Sequence, residues 1–183
     1  MKKHFIRYKP FLLFLSKFFF TFIILTVLYQ VFLSSFEDNR TDSVTKSVAR
    51  NTEQLLGLFH TDITIEENTE ETFIKLIYNN RYVARMIEGC NAISVIILFI
   101  AFVVSFSGKL KPTLLFIFGG SVVIYILNVI RIALLTVLIY YFPKQESLLH
   151  GVLFPLFIYG VVFILWVIWV RKFSLYAKKD AVA

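Results

Sequence analysis

The stretch TLLFIFGGSVVIYILNVIRIALLTVLIYY, residues 113–141, decides the class of fold. A transmembrane helix needs about 20 predominantly apolar residues to cross about 30 Å of hydrocarbon, and this run is longer than that. It nevertheless contains Asn128 and Arg131. An arginine inside an apolar helix costs at least about 2.5–3.5 kcal/mol on insertion scales, so one that is retained usually faces a cavity or a partner. We therefore predict a membrane-spanning helix that carries a functional side chain.

Three further apolar runs flank this stretch, at residues 11–35, 91–106 and 150–170. Of the whole chain, 58% is apolar and 17% is charged, which excludes an ordinary soluble domain with about 45–50% apolar and 25% charged residues. We predict an all-α integral membrane protein with about four transmembrane helices. A cleaved signal peptide is the competing interpretation of the first run, but the run exceeds a usual signal sequence and no small-x-small site follows it cleanly.

The runs divide the chain into three parts. We predict that residues 1–36 form a cytoplasmic N-terminus and the first transmembrane helix, and that residues 37–88 form an extracytoplasmic loop. Residues 89–183 are predicted to form a three-helix membrane region, catalytic for the reasons given below, that ends in a basic cytoplasmic tail. The single cysteine, Cys90, rules out an intramolecular disulfide framework, so the loop must be held together by other means.

The charge pattern predicts the topology. The net charge is +7, and the basic excess lies in alternate connections, at residues 1–17, 107–112 and 171–183, whereas loop 37–88 is acidic overall. Positive charge beside a membrane span marks the cytoplasmic side. We therefore expect both termini inside and the loop outside. A nucleic-acid partner is not expected, because its binding site would gather the basic residues on one surface.

The loop has two recognisable segments. Val44, Val48, Leu55 and Phe59 recur at near-helical spacing, which predicts an amphipathic helix near the outer surface. The stretch TFIKLIYNNRYVARMI reads as two β-rich runs around Asn79-Asn80. Asparagine tolerates the left-handed conformation of a tight turn, so a short β-hairpin is predicted. Its role is open between a structural lid or strut and a substrate contact.

Three reactive side chains are predicted at one depth. Cys90 begins the second span at the outer interface, and Arg131 lies about 28 Å from Pro112 at 1.5 Å per residue. His150 precedes the fourth span, which descends from the outside. Each has a structural interpretation as well, since a lone cysteine is commonly inert packing and a histidine at a helix start is often an interfacial polar tip. Their common depth favours a shared site.

Such a trio suits nucleophilic acyl transfer. A thiol attacks as the thiolate, and a free cysteine has a pKa of about 8.5, so a neighbouring base or cation is needed. Cys90 would be the nucleophile, His150 the general base and then acid, and Arg131 the oxyanion or carboxyl clamp. Asn128, on nearly the same helix face as Arg131, would orient it or a substrate carbonyl. Glu88 would oppose the thiolate unless it pairs with Arg131 or orients His150.

Other chemistry has no motif in this chain. There is no Gly-rich phosphate loop, no HExxH and no CxxC. His4, His60 and His150 are too dispersed for a convincing metal site. We therefore expect no cofactor and no metal, with His4 and His60 as bystanders.

Three segments resemble the signature regions of the exosortase/archaeosortase family, in the family's order. They are EGCNAISVIILFIAF around Cys90, NVIRIALLTVLIYY around Arg131 and HGVLFPLFIYGVVF after His150. The resemblance covers roughly residues 70–174 and is similar in particular to the short bacterial exosortase F subgroup. By the family pattern Cys90 is the nucleophile, and Arg131 and His150 are the other signature residues.

The resemblance implies a cysteine transpeptidase or protease of the bacterial cytoplasmic (inner) membrane, with its active site on the outer, periplasmic face. Its substrates would be secreted proteins with a C-terminal motif, a hydrophobic helix and a basic cluster, which it would cleave and pass to an acceptor. Besides membrane lipid, a small membrane partner protein is an open expectation, because many family members have about eight spans. Ala92 replaces a frequent family glycine, a change expected to leave the helix start intact. The alternative function is a non-catalytic membrane subunit of a transport or polymer-export complex.

Overall fold

The computed structural model describes residues 2–36, 40–68, 71–106 and 108–174. Helices α1 and α2 precede a small sheet, and three further helices follow it. The elements are α1 (Lys2–Leu33), α2 (Ser43–Gly57), β1 (Ile63–Glu67), β2 (Ile74–Tyr78), β3 (Arg81–Met86), α3 (Ile93–Ser105), α4 (Leu110–Tyr141) and the continuous helical segment α5 (Pro143–Phe173). The predicted class, an all-α membrane protein with a small loop region that contains a short helix and a β-hairpin, is confirmed.

Among the described residues, three helices are long and apolar enough to cross a membrane. They are Phe11–Leu33 in α1, Leu110–Tyr141 and Pro143–Phe173. The second predicted span, α3, is shorter than expected and has 13 residues, or about 20 Å at 1.5 Å per residue. It is shorter because the residues before it form a 3-10 turn over Glu88–Cys90 and Phe106 already has an extended backbone.

Helices α1 and α3 pack antiparallel. The rings of Phe14 and Phe106 lie 4.7 Å apart at one end, and the Asn91 amide donates to the Tyr29 hydroxyl over 2.7 Å at the other. Aromatic pairs at such distances add to the free energy gained from apolar burial. The short α3 is therefore held along the length of a helix that can itself cross the bilayer.

The core of the membrane region lies where α3, α4 and α5 meet. Its fully or nearly fully buried side chains include Phe99, Ile124, Ile158 and Trp169. An isolated antiparallel bridge joins Gly108, just before α4, to Ser174, just after α5. One end of α4 thus lies beside the end of α5, and its opposite end is free to support the sheet.

Gly120 of α4 packs directly against the ring of Phe99 of α3. A Cβ at this position would overlap the buried ring of Phe99. We expect Gly120→Ala to reduce the free energy of unfolding by about 1–3 kcal/mol, because the ring must shift within a packed core. Gly119→Ala is the matched control, since nothing lies within 4 Å of its Cβ position and alanine is the better helix former. Equal unfolding midpoints in detergent for the two variants would contradict the close packing.

The sheet contains the predicted hairpin and one strand more. β2 and β3 are joined at Asn79 and Asn80, whose φ angles of 49° and 59° are left-handed, as a tight two-residue turn requires. The sequence analysis missed β1, which pairs antiparallel with β2 on its other edge. The hairpin is therefore confirmed as part of a three-stranded antiparallel sheet.

The sheet packs against α2 and the C-terminal part of α4. Val48 of α2, Leu76 of β2, Met86 of β3 and Ile132 of α4 belong to one buried cluster. The predicted amphipathic helix is confirmed. Its apolar side ends earlier than expected, because Phe59 lies beyond the helix and is exposed.

Candidate functional site

A cavity of about 240 Å³ lies between the sheet, α4 and the beginning of α5. Cys90, Arg131 and His150 all line it. Apolar side chains of β2, β3 and α4 form much of the remaining wall, with Leu76, Met86, Ile132, Leu135 and Ile139, and polar side chains complete it. Three side chains from separate parts of the chain therefore line one cavity, in the combination that the sequence analysis singled out.

Cys90 ends the 3-10 turn Glu88–Cys90 and is half-buried. Its carbonyl oxygen accepts a hydrogen bond of 2.7 Å from the Asn128 amide on α4. Asn128 is 1% exposed, so this bond is shielded from water. The sequence analysis expected Asn128 to orient Arg131 or a substrate, whereas its amide group holds the backbone of the candidate nucleophile.

The next residue, Asn91, fixes the same turn from the other side. Its Nδ2 donates to the Tyr29 hydroxyl of α1 over 2.7 Å and to the Thr45 hydroxyl of α2 over 3.1 Å. Its Oδ1 accepts from the Ile93 N–H at the start of α3. Together with Asn128, these bonds tie the Cys90 turn to four helices. Buried networks of this kind restrict a turn to one conformation when their members are satisfied.

Ala92 has a left-handed backbone, with φ of 67°. This conformation is unfavourable for residues with a Cβ and favours glycine. This left-handed backbone is a physical reason for the glycine that is frequent at this position in the family that the sequence resembles. Helix α3 still begins at Ile93, so the expectation that alanine leaves the helix start intact is confirmed.

Arg131 lies 21 residues into α4, or about 32 Å from Leu110 at 1.5 Å per residue. It is therefore near the far boundary of a hydrocarbon layer about 30 Å thick. Its Nε is buried and, among the described residues, has no hydrogen-bond partner. Arg131 lines the cavity together with Cys90. A buried donor without a partner is unusual in a folded protein, so this side chain is held in the cavity wall at a cost to stability.

His150 lies in a π-helical turn, Leu149–Leu153, near the start of α5 and is exposed to solvent. Local π-helical geometry often accompanies functional sites. Glu146, one turn earlier, lines the cavity as well, as does Arg85 of β3. The sequence analysis missed both residues. The four-residue spacing of Glu146 and His150 was a signal for the first, whereas only the fold brings Arg85 to the cavity.

Glu88 begins the same 3-10 turn as Cys90 and is half-buried. It is not among the residues that line the cavity. Within the described parts of the chain, no group of three or more His, Cys, Asp or Glu side chains could hold a metal ion. Of the five candidate residues, three share the cavity and Asn128 contacts the backbone of one of them.

The contact of Asn128 predicts the effect of an isosteric substitution. In Asn128→Asp an acceptor replaces the donor and faces the Cys90 carbonyl oxygen in a buried place. We expect the free energy of unfolding to fall by about 1–3 kcal/mol, the usual cost of an unsatisfied buried polar group. Asn79→Asp, the same change at an exposed turn, should stay within about 0.5 kcal/mol. Equal denaturation midpoints for the two variants would contradict the hydrogen bond.

Comparisons with known proteins give one assignment. No curated protein and no solved structure matches the chain. The model of the transmembrane exosortase family (Exosortase_EpsH) matches residues 12–170. This match spans the first membrane helix, the sheet and all three elements that supply Cys90, Arg131 and His150. The apolar helices make the chain a multi-pass membrane protein. The match over residues 12–170 shows that it belongs to the transmembrane exosortase family.

Proposed function

We propose that this protein is a membrane-embedded cysteine transpeptidase or protease that cleaves C-terminal sorting tails from secreted proteins and transfers the remaining protein to an acceptor. The observation that carries the proposal is the shared cavity of Cys90, Arg131 and His150 in a member of the exosortase family. The further assignment to the exosortase F subgroup belongs to the same proposal. It rests on the sequence resemblance.

In the first step the Cys90 sulfur attacks the carbonyl carbon of the scissile peptide bond. His150 takes the thiol proton, and Arg131 donates to the oxygen that becomes negative in the tetrahedral intermediate. The C–N bond then breaks, and His150 returns the proton to the leaving amine. The N-terminal part of the substrate is left as a thioester on Cys90. The position of Arg131 in the cavity wall with Cys90 supports this role, because the donor is already in place before charge develops.

In the second step an acceptor nucleophile attacks the thioester carbonyl. His150 accepts the acceptor's proton, the C–S bond breaks, and the thiol is restored as it regains a proton. Water as the acceptor gives hydrolysis, and an amine or hydroxyl gives transfer.

The position of the cavity supports a substrate that is anchored in the bilayer. Arg131 lies at about the depth where the hydrocarbon ends. A sorting tail whose hydrophobic helix spans the membrane would present the preceding motif at this level. Its basic cluster would stay on the opposite, cytoplasmic side. The depth of the thiol and the layout of such a tail therefore agree.

A processing assay tests the proposed function. The chain is expressed in a bacterial host with a secreted reporter that ends in a motif, an apolar helix and a basic cluster taken from the genome of origin. We expect the reporter to lose its tail only when the chain is present. A reporter without the motif is the control and should stay full length. If every such tail from that genome remained uncleaved, the result would favour the alternative function, a non-catalytic membrane subunit.

The proposed orientation gives a separate prediction. Reporter fusions should place Lys109, beside the Gly108–Ser174 bridge, in the cytoplasm, and Asn68, in the sheet region, on the outer face. The reason is the basic excess of the connections around 107–112 and of the C-terminal tail. An enzyme reporter active only in the periplasm and another active only in the cytoplasm measure the two sides. If both fusions reported the same side, the topology would be wrong.

A further inference from the structure

Buried hydrogen bonds connect the beginning of α2 to the residue that follows Cys90. The Thr45 hydroxyl donates to Asp42 Oδ2 over 2.5 Å and accepts from Asn91 Nδ2 over 3.1 Å. Asp42, Thr45 and Asn91 are each no more than 2% exposed. We call these three residues the polar network. Since its bonds are shielded from water, loss of one leaves a buried polar group without that partner, which is costly.

Backbone atoms fix the polar network at both ends. At one end, Asp42 Oδ1 accepts from the N–H groups of Val44 and Thr45, each over 2.9 Å, and so caps α2. At the other end, Asn91 Oδ1 accepts from the Ile93 N–H over 2.9 Å, at the start of α3. The N-terminus of α2 therefore determines where the Asn91 side chain lies, and this side chain determines how α3 begins.

The residue between Asn91 and Ile93 is strained. Ala92 has a left-handed backbone, with φ of 67° and ψ of 2°. In this conformation the Cβ lies too close to the following carbonyl oxygen. Such a backbone persists only where the surrounding structure holds it. The bond from the Ile93 N–H to Asn91 Oδ1 closes across Ala92, so the polar network acts on the strained residue itself.

We propose that the polar network holds Ala92 in its left-handed conformation and thereby positions Cys90 in the cavity wall. Asp42 and Thr45 are then positioning residues for the nucleophile, although neither lines the cavity. Without the network, the turn relaxes and carries the Cys90 backbone with it. A misplacement of about 1 Å caused far from the chemistry can lower a rate about 10²-fold. The effect on catalysis rests on the proposed function, whereas the hold on the turn does not.

Thr45→Val tests the network, because valine has nearly the same shape as threonine and lacks the hydroxyl. Thr52→Val is the matched control. Thr52 is equally buried on the same helix, and its hydroxyl donates within α2, to the Val48 carbonyl oxygen. Hydrogen exchange of the peptide that covers residues 88–93 is followed by mass spectrometry on the full chain in detergent. Reporter processing is measured per amount of folded protein.

We expect the peptide to exchange about 5–30-fold faster in Thr45→Val than in Thr52→Val, as for loss of a buried hydrogen bond. The kcat of processing should fall at least about tenfold with KM unchanged, because the reacting groups are misaligned while the tail still binds. Thr45→Ser keeps the hydroxyl and should restore both values. Equal exchange in Thr45→Val and Thr52→Val would overturn the proposal, as would faster exchange with an unchanged kcat.

Ala92→Gly tests the strain and does not require that Thr45→Val folds. Glycine adopts a positive φ without the Cβ contact. Relative to the unfolded peptide, exchange should slow at least about twofold in Ala92→Gly, and Ala92→Gly combined with Thr45→Val should recover part of the lost kcat. Exchange as fast as in the unchanged chain would overturn the proposal. If the unchanged chain processed no reporter, the proposed function would fail, and the exchange rates would still decide whether the network holds the turn.

Discussion

Replacement of Cys90 by serine is expected to abolish tail processing while the protein accumulates normally in the membrane. A serine hydroxyl is a far weaker nucleophile than a thiolate without strong activation. Loss of a nucleophile that acts with a base and an oxyanion donor removes the rate enhancement of the whole unit, on the order of 10⁶-fold in comparable hydrolases. The processing assay with a tagged reporter measures the loss.

Ser94→Ala is the matched control for this variant. Ser94 lies one helical turn after Cys90, is exposed and does not line the cavity. It should retain processing. Full activity of Cys90→Ser would contradict the thiol mechanism, because the change is isosteric and the turn is held through backbone atoms and Asn91, which serine leaves untouched.

Arg131 and His150, the two other proposed catalytic residues, should respond differently to substitution. Arg131→Lys keeps the charge but loses the planar set of donors. Loss of one oxyanion donor typically costs about 10²–10³ in rate, or roughly 3–4 kcal/mol. His150→Ala removes proton transfer, which is worth about 10²–10⁴. Part of this second loss should return at alkaline pH, because a thiolate can then form without a base in the site.

Rates of reporter cleavage between neutral and mildly alkaline pH separate these roles. We expect the cleavage rate of Arg131→Lys to be low at every pH, with little change in reporter association. The cleavage rate of His150→Ala should recover partly at high pH. A fully active Arg131→Lys would show that Arg131 is structural. An equally deep loss in His150→Ala at every pH, with loss of folding, would show the same for His150.

The sequence predicted the membrane helices and the shared site because both depend on position along a helix. An apolar run determines depth in the bilayer, and depth is a property of each residue's place in its own span. Arg131 and Cys90 could thus be placed at one level without any knowledge of how the helices pack. The hairpin was predictable for a similar local reason, since Asn79 and Asn80 suit the left-handed turn.

Features that depend on contacts between distant segments were not predictable. Strand β1 carries no turn signal of its own and is a strand because β2 offers it an edge. Arg85 lines the cavity only because β3 packs beside α4. The bond from Asn128 to the Cys90 carbonyl oxygen joins residues 38 positions apart. Helical spacing related Asn128 to Arg131 and gave no indication of this bond.

The thioester on Cys90 is the species that distinguishes an exosortase-like enzyme from a non-catalytic membrane subunit. The chain and a tagged reporter are expressed together, quenched in acid, and analysed by denaturing electrophoresis and mass spectrometry of the peptide that contains Cys90. We predict an adduct between Cys90 and the N-terminal part of the reporter that hydroxylamine releases and that Cys90→Ser lacks. Tail cleavage that proceeds with no adduct on Cys90, and equally well in Cys90→Ser, would contradict the proposed mechanism.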